Sequence, residues 1–311
     1  MNILITGCRG FIGGSLGRFA VRHGHIVLGT GRQASIETTW PGNYVQIDLE
    51  TNQIISVLNE FRPEVLVHAA GSSSVAASVS DPGCDFYSSA VGFANVLEAV
   101  RQAKVRPLVV LISSAAVVGN PDKLPVDEQA TIQPLSPYGF HKAMSELLAR
   151  EYSECFNLDI MAVRLFSVFG FAQRRLLVWE LYNQLSGSQS TAWIEGTGLE
   201  SRDFLYIDDV ASALLGLIDT HSKINEPPGV LINVASGIET NILEIAGQIR
   251  DQVAPEKNIQ CRNIVRQNDP FRWRADITKL QTILPAWHPR SLAEGLALCI
   301  TEWSQYAAHA S

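Results

Sequence analysis

The sequence has few of the residues that form disulfide bonds or bind metal ions. Its five cysteines are odd in number and scattered, and no C-x-x-C pair occurs, which argues against a disulfide framework and a zinc site. The seven histidines show no metal-ligand spacing. No apolar run approaches the roughly 18 residues that a membrane helix needs. We therefore expect a protein of a reducing compartment that holds no metal and has no membrane partner.

An excess of basic charge is also missing. The 311 residues include 31 acidic and 24 basic side chains, which leaves a formal net charge of −7. A protein that binds the nucleic-acid backbone needs a basic face, so nucleic acid is not expected as a partner. A small anionic ligand held by a few arginines remains compatible with this balance. Because the chain enters an apolar segment at once, at Ile3, we expect no signal peptide and a cytoplasmic location.

The first sixteen residues, MNILITGCRGFIGGSL, have the pattern of a strand, a glycine-rich turn and a helix. Gly7, Gly10 and Gly13 punctuate the turn with the spacing G-x-x-G-x-x-G, which differs from the commoner G-x-G-x-x-G dinucleotide fingerprint. Glycine lets backbone approach a ligand, and the helix N-terminus that follows offers N–H groups and a positive dipole end to a phosphate. The turn therefore predicts a phosphate-binding site.

Strand and helix patterns alternate through the first half of the chain. Residues 65–71 and 108–114 are near-continuous apolar runs, typical of strands that are covered on both faces of a parallel sheet. The alternation predicts an α/β fold, a Rossmann-type doubly wound parallel sheet, with a smaller, mixed C-terminal substrate-binding lobe. We expect the dinucleotide-binding domain at residues 1–165, with returns near 202–218 and 231–235, and the lobe at 166–201 and 236–311.

Three residues, Ser114, Tyr138 and Lys142, suggest the chemistry. Tyr138 and Lys142 are one helical turn apart and therefore share a helix face. Ser136 is a good N-cap and Pro137 a good first-turn residue, which places Tyr138 in the first turn. The helix dipole and the Lys142 ammonium are expected to lower the pKa of Tyr138 from about 10, so that the phenol can act as a general acid and base. Ser114 ends a parallel strand, where ligands bind in such sheets, and can hold a substrate oxygen.

With these residues the chain resembles the extended short-chain dehydrogenase/reductases, specifically their nucleotide-sugar epimerase, dehydratase and reductase group. The cofactor motif of that group is similar to residues 6–13 (TGCRGFIG), its serine strand to residues 112–119 and its catalytic helix to residues 138–142. Further similar stretches follow in order, at residues 164–170, 196–210, 233–237 and 274–279. The resemblance implies a nicotinamide cofactor, a nucleotide-sugar substrate oxidised or reduced at a sugar carbon, usually C4, and a homodimer formed through helices at residues 86–102 and 136–155.

The resemblance also implies a set of site residues. The catalytic residues are Ser114, Tyr138 and Lys142. The expected cofactor contacts are Gly7, Arg9, Gly10, Phe11, Ile12, Gly13, Gly31, Arg32, Asp48, Leu49, Ala69, Ala70, Gly71, Ser89, Tyr138, Lys142, Leu165 and Phe166. The expected substrate contacts are Ser72, Ser73, Ser114, Ser167, Arg202 and Arg274.

Some of these assignments have a structural alternative. Asp48 can simply cap the next helix, and Arg274 or its neighbour Arg272 can form a surface ion pair instead of contacting a diphosphate. Ser89 and Ser167 stand where the group commonly has asparagine, and Val118 stands where it commonly has tyrosine. The sugar pocket is therefore expected to be atypical.

The residues after the second strand bear on the choice of cofactor. NAD-preferring members have an acidic residue there that binds the ribose 2′-hydroxyl, whereas this chain has Gly31 followed by Arg32. A guanidinium pairs well with a 2′-phosphate, and Arg9 offers a second cation at the same edge. These changes predict NADP(H). The alternative is NAD(H), with both arginines as solvated surface groups.

The residues that follow Ser114 limit the reaction. Dehydratases of the group carry an Asp-Glu pair there, and the alanines Ala115 and Ala116 have no acid–base capacity, so 4,6-dehydration is not expected. A 4-keto-sugar reductase using NADPH is favoured, because net reduction is usually coupled to that cofactor. The alternatives are a 4-epimerase with tightly bound NAD, a reductase of a non-nucleotide carbonyl compound and a binding protein without activity.

Overall fold

The computed structural model describes residues 1–34, 40–51, 53–224, 229–264 and 270–310, the last four of these as helix backbone only. The strands are β1 (Asn2–Thr6), β2 (Ile26–Gly31), β3 (Asn43–Gln46), β4 (Val65–His68), β5 (Leu108–Ser114), β6 (Ile160–Leu165), β7 (Ser167–Phe169), β8 (Thr191–Ile194), β9 (Ser201–Tyr206), β10 (Val230–Val234), β11 (Glu239–Asn241) and β12 (Asn258–Cys261). The α-helices are α1 (Phe11–Arg22), α2 (Gln53–Phe61), α3 (Val75–Ser80), α4 (Pro82–Phe86), α5 (Gly92–Gln102), α6 (Pro137–Phe156), α7 (Leu176–Ser186), α8 (Ile207–Thr220), α9 (Ile242–Val253), α10 (Thr278–Ile283) and α11 (Leu292–Ala310).

Seven strands form the main sheet in the order β10-β6-β5-β4-β1-β2-β3, and every pair of neighbours is parallel. The order reverses between β1 and β4, which is the switch point of a doubly wound sheet and the place where such sheets bind ligands. The predicted α/β Rossmann-type fold is confirmed. Its geometry places the carboxyl ends of β1, β4 and β5 along one edge, where the candidate residues lie.

Helices cover both faces of this sheet because its strands are apolar on both sides. In β1, Ile3 and Ile5 contribute to one core with α1 and α8, whereas Leu4 points to a second core with α2 and α5. Successive strand residues face opposite sides of a sheet, so the unbroken apolar run fills both layers. The glycine turn that follows β1 is therefore anchored by a strand that is buried on both faces.

The C-terminal part of the chain adds two small sheets, β11-β9-β7 and β12-β8. Their core contains Phe169, Leu181, Phe204, Ile245 and Trp303, among others, and joins α7, α9 and α11. The return predicted near residues 231–235 is β10 in the main sheet, whereas residues 201–206 form β9 in a small sheet, and α8 then packs on α1. The division at residue 165 stays a prediction.

The segment before α5 differs from the single helix expected at residues 86–102. A π-helical turn spans Tyr87–Val91, between α4 and α5. Ser89 lies in this wider turn, and its Oγ accepts the N–H of Ser72 from the loop after β4. Such π turns often occur at functional sites, and this one joins the helix layer to the edge of the sheet where ligands bind.

In the described part of the chain, no helix combines the length and the apolar character that a membrane crossing demands. Within the same residues, no three His, Cys, Asp or Glu side chains are grouped in a way that could hold a metal ion.

Candidate active site

Ser114, Tyr138 and Lys142 come together beside the switch point. Ser114 is the last residue of β5, and its hydroxyl is close enough to the Tyr138 phenol to lower the pKa of that phenol. Lys142 lies one turn further along α6, with its Nζ donating to the Ile112 carbonyl at 2.9 Å and lying 5.9 Å from the centre of the Tyr138 ring. The structure therefore assembles the three predicted catalytic side chains at one point.

The start of α6 positions Tyr138. Ser136 is the N-cap, and its Oγ accepts the Gly139 N–H at 3.3 Å, while the Tyr138 N–H donates to the buried Ser78 Oγ at 3.1 Å. A Cβ at Gly139 would lie 2.5 Å from the Ala116 carbonyl oxygen, which is closer than real Cβ contacts come. The glycine thus lets the helix start lie against the residues that follow β5.

Burial sets the acid–base properties of the pair. It raises the pKa of Tyr138 above its ordinary value, and although the Ser114 hydroxyl lowers that pKa, the net shift is upward. The lowering of the Tyr138 pKa that the sequence predicted is therefore wrong, because desolvation disfavours the phenolate. Burial lowers the pKa of Lys142 to about 8, against the opposing effect of the Asp85 and Glu146 carboxylates.

A buried ion pair joins α6 to the main sheet, and it was not predicted from the sequence. Glu146 of α6 accepts two hydrogen bonds from Arg164 of β6, at 2.9 and 2.7 Å, and one from the Ser113 hydroxyl of β5, at 2.6 Å. Removing one partner of such a pair leaves an uncompensated buried charge. A signal was available, because Glu146 follows Lys142 by one turn and so lies on the same helix face.

The glycine turn has the geometry of an anion-binding turn. Gly7 has a φ of +69°, and a Cβ on it would lie 2.6 Å from the Ala70 nitrogen, so no larger residue fits between this turn and the end of β4. Gly10 caps α1 without a side-chain hydrogen bond, and the first turn has no acidic residue. The first-turn N–H groups and the positive helix end can therefore serve a pyrophosphate. A dinucleotide fits this end of the site.

Further expected cofactor contacts lie at or after the ends of β1, β2 and β3. Gly31 ends β2, with the Tyr44 hydroxyl 3.2 Å from where its Cβ would be, and Arg32 is exposed. Asp48 Oδ1 accepts the Glu50 N–H at 3.0 Å, so this carboxylate caps the turn before α2, and Leu49 is half-buried. Arg9, in the glycine turn, is also exposed.

The expected substrate contacts divide into two groups. Ser72 and Ser73 follow β4, and Ser73 Oγ accepts a hydrogen bond from Arg175 at 2.5 Å. Arg202 of β9 is buried, donates to the Ser201 carbonyl at 2.8 Å and lies 5.3 Å from the Trp273 ring. Sequence reasoning missed Arg175, for which no local pattern gave a signal.

The remaining candidates lie on the strands and loop beyond β6. Leu165 ends β6, Phe166 packs edge-on to Trp273 at 6.1 Å, and Ser167 begins β7. Arg274 is exposed, whereas its neighbour Arg272 forms two hydrogen bonds with Glu239, at 2.6 and 2.8 Å. For Arg272 the surface ion pair is therefore what the structure shows.

A family assignment follows from comparison with known proteins. The model of the NAD dependent epimerase/dehydratase family matches residues 3–235, which is most of the chain. The chain belongs to this family. The resemblance to the extended short-chain dehydrogenase/reductases is thereby confirmed, and the protein is an NAD(P)-dependent enzyme of that class.

Relatives in the family are similar over nearly the whole chain. A UDP-glucose 4-epimerase of Mycolicibacterium smegmatis is 31% identical over 315 residues, which cover 96% of each chain. A UDP-glucuronate 4-epimerase of Thermodesulfobacterium geofontis is 30% identical, covering 97% of this chain and 95% of the relative. Among solved structures, MoeE5 in complex with UDP-glucuronic acid and NAD is 25% identical with a TM-score of 0.86, and the match covers 98% of this chain and 100% of MoeE5.

Proposed function

We propose that the protein is a nucleotide-sugar 4-epimerase that acts on a UDP-sugar and keeps NAD(H) bound. The observation that carries this proposal is the 31% identity to a UDP-glucose 4-epimerase over 96% of both chains. The assembled Ser114, Tyr138 and Lys142 supply the acid–base groups that such a reaction needs. The 4-keto-sugar reductase that the sequence favoured has no comparable support, since both curated relatives named above are 4-epimerases.

NAD(H) takes the place of the NADP(H) that the sequence favoured. MoeE5, which is similar over the whole chain, is described in complex with NAD. The NADP(H) hypothesis depended on Arg9 and Arg32, and both are exposed. Their exposure matches the alternative in which both arginines are solvated surface groups, so their charge does not by itself require a bound 2′-phosphate. We propose that the glycine turn holds the pyrophosphate and that Ala69, Ala70 and Gly71 line the cofactor beside it.

The reaction needs a proton to leave and return to one sugar hydroxyl. NAD(H) held at the glycine turn would supply a hydride acceptor for the sugar carbon and, once the keto sugar has turned its other face towards the cofactor, would supply the hydride that inverts this carbon. Tyr138 takes the hydroxyl proton as a phenolate and gives it back as a phenol, while the Ser114 hydroxyl holds the sugar oxygen. The Lys142 ammonium stabilises the phenolate, and the buried setting strengthens that interaction. Ala115 and Ala116 offer no second acid–base group, so elimination of water is not expected.

The proposal predicts epimerisation without added cofactor. Purified protein incubated with UDP-glucose, UDP-galactose or UDP-glucuronic acid should convert one of them to its 4-epimer until equilibrium, as followed by proton NMR of the sugar. Protein denatured beforehand should release NAD(H), measured by enzymatic cycling. A reaction that instead consumes NADPH in proportion to product, with 4-keto-6-deoxy sugars as substrates and no epimer formed, would replace this proposal with the reductase.

We also propose that the enzyme is a homodimer. Phe140, Met144 and Leu147 project from α6 at positions i, i+4 and i+7 and are exposed, so they form an apolar stripe on one helix face. Tyr87, in the neighbouring layer, is also exposed. A stripe of this kind marks an interaction surface, and a second copy of the chain is the occupant that the resemblance implies. The cytoplasmic location stays a prediction.

Replacing Leu147 by glutamate should convert a dimer into a monomer, because the change places a charge on the most exposed leucine of the apolar stripe. Size-exclusion chromatography with light scattering measures the mass. Leu199→Glu is the matched control, since both leucines are 65% exposed and Leu199 lies away from α6. A monomeric unaltered protein, or equal masses for both variants, would contradict the dimer.

A further inference from the structure

A row of three polar side chains crosses the main sheet one residue before the carboxyl end of β5. Ser113 of β5 lies opposite Arg164 of β6, and Arg164 lies opposite Asn233 of β10. These three residues, the polar row, are at most 2% exposed, in strands whose other residues are mostly apolar. Buried polar groups are costly unless they are bonded, so the partners of the row show what it connects.

Glu146 of α6 binds two members of the polar row at once. Its carboxylate accepts a hydrogen bond from the Ser113 hydroxyl at 2.6 Å and two from the Arg164 guanidinium, at 2.9 and 2.7 Å. The side chains of Arg164 and Glu146 are only 3% and 8% exposed, so solvent screens this ion pair little. A single carboxylate of the helix therefore connects α6 to two neighbouring strands at one level of the sheet.

The other side of the polar row is bonded to segments outside the sheet. The Asn233 side-chain amide donates to the Val126 carbonyl at 3.0 Å and to the Asp276 carbonyl at 3.3 Å. Arg164 Nη1 donates to the Glu128 carbonyl at 3.3 Å, and the Glu128 carboxylate accepts the Asn233 N–H at 2.9 Å. Through the polar row, α6 is therefore connected to the loop at residues 126–128 and to the segment that precedes α10.

The polar row also lies next to the groups that the proposed function uses. Ser113 directly precedes Ser114, the last residue of β5. On α6, Lys142 lies one turn before Glu146, and its Nζ donates to the Ile112 carbonyl at 2.9 Å. Two successive turns of α6 are thus bonded to two successive residues of β5. Sliding the helix along the strand would break both contacts, so together they fix the register between α6 and β5.

We propose that Glu146 is a positioning residue that holds α6 in register with β5, so that the acid–base groups of the helix lie beside Ser114. Glu146 acts through the Ser113 hydroxyl and the Arg164 guanidinium, and it does not touch the reacting atoms. This role rests on the proposed function, which assigns the chemistry to the three catalytic residues. The first test therefore uses a measurement that needs no substrate.

Ser113→Ala removes one hydroxyl and leaves every charge around Lys142 in place. Burial lowers the pKa of Lys142 to about 8, so a helix that is less tightly held to β5 should let water reach the ammonium. We expect the midpoint of the Lys142 titration to rise by about half a pH unit, toward the ordinary value of about 10.4. The measurement is carbon NMR of protein labelled at lysine Cε, with the Lys142 signal assigned from Lys142→Met.

Ser145→Ala is the matched control for this change. Ser113 and Ser145 are both 2% exposed, but the Ser145 hydroxyl donates within its own helix, to the His141 carbonyl at 2.9 Å. Removing it should leave the Lys142 midpoint unchanged. An unchanged midpoint in Ser113→Ala, with circular dichroism showing an intact fold, would overturn the proposal, and so would an equal rise in both variants.

Turnover of a double variant gives the second readout. Glu146→Gln alone would leave the Arg164 charge buried and unpaired, which strongly destabilises a fold, whereas apolar replacement of both partners is often neutral. Glu146→Leu combined with Arg164→Met should therefore unfold at a urea concentration close to that of the unaltered protein. We expect its kcat to be about tenfold lower with little change in KM, because a small displacement of reacting groups slows the chemical step.

Positioning and epimerisation are tested separately by these measurements. A folded double variant with the kcat of the unaltered enzyme would overturn the positioning role of Glu146 and leave the proposed function intact. A raised Lys142 midpoint in Ser113→Ala, in a protein that epimerises no sugar, would instead support the control of the helix register by Glu146 and reject the proposed function.

Discussion

Tyr138→Phe should lower kcat by about 10²- to 10⁴-fold, which is the usual contribution of a positioned general acid or base. The phenylalanine ring fills the same space, but it has no hydroxyl to exchange a proton with the sugar. Because the glycine turn is untouched, NAD(H) content should stay that of the unaltered protein. The measurements are the initial rate of epimerisation and the cofactor released on denaturation.

Tyr152→Phe is the matched control for this change. Tyr152 lies on the same helix, and its hydroxyl also makes a hydrogen bond, to Glu98 at 3.3 Å, far along α6 from Ser114. Its turnover should stay within about twofold of the unaltered enzyme. If Tyr138→Phe kept more than a tenth of the activity, another group would have to be the proton donor.

Gly7→Ala should destabilise the protein by more than about 2 kcal/mol and abolish cofactor retention. The left-handed φ of +69° costs a residue with a Cβ about 1–2 kcal/mol. The new Cβ would also lie 2.6–2.7 Å from backbone atoms of Ala69 and Ala70, so the turn and the end of β4 must separate. Urea unfolding and the amount of bound NAD(H) measure the two effects.

Gly24→Ala separates the cost of a left-handed backbone conformation from the cost of a steric contact. Gly24 also has a left-handed φ, of +82°, but a Cβ there would meet no atom within 4 Å. This substitution should therefore lower the free energy of unfolding by only about 1–2 kcal/mol, the cost of the left-handed backbone conformation. The amount of bound NAD(H) should not change. Equal stability losses in the two variants would mean that the contact with Ala69 and Ala70 relaxes freely and does not shape the site.

The features that were predictable from the sequence are local ones. The N-cap at Ser136, the proline after it and the spacing from Tyr138 to Lys142 all act within two helical turns, so a linear pattern contains them. The continuous apolar runs in the strands are local patterns too. Their composition alone indicates a parallel sheet that is covered by helices on both faces. The π turn at Tyr87–Val91 was not predicted. An N-cap or a heptad has characteristic residues at fixed positions, whereas a π turn has none.

Electrostatic properties were predicted less well. The sequence suggested a lowered pKa for Tyr138 from the helix dipole and Lys142, and burial instead raises it. The preference for NADP(H) was argued from the charges of Arg9 and Arg32, whereas support for NAD(H) comes from the similar solved structure with bound NAD. For Tyr138 the missing quantity was its burial, which disfavours the charged phenolate.

By itself the sequence determined the alternation of strands and helices through residue 165, the glycine turn and the helical spacing of Tyr138 and Lys142, because each depends on residues close together in the chain. Only the tertiary structure decided which charges surround Tyr138 and Lys142. Asp85 meets His141 across 56 residues, and Glu146 meets Arg164 across 18. The strength of such contacts depends on distance and on removal from water, and both are properties of the packed molecule.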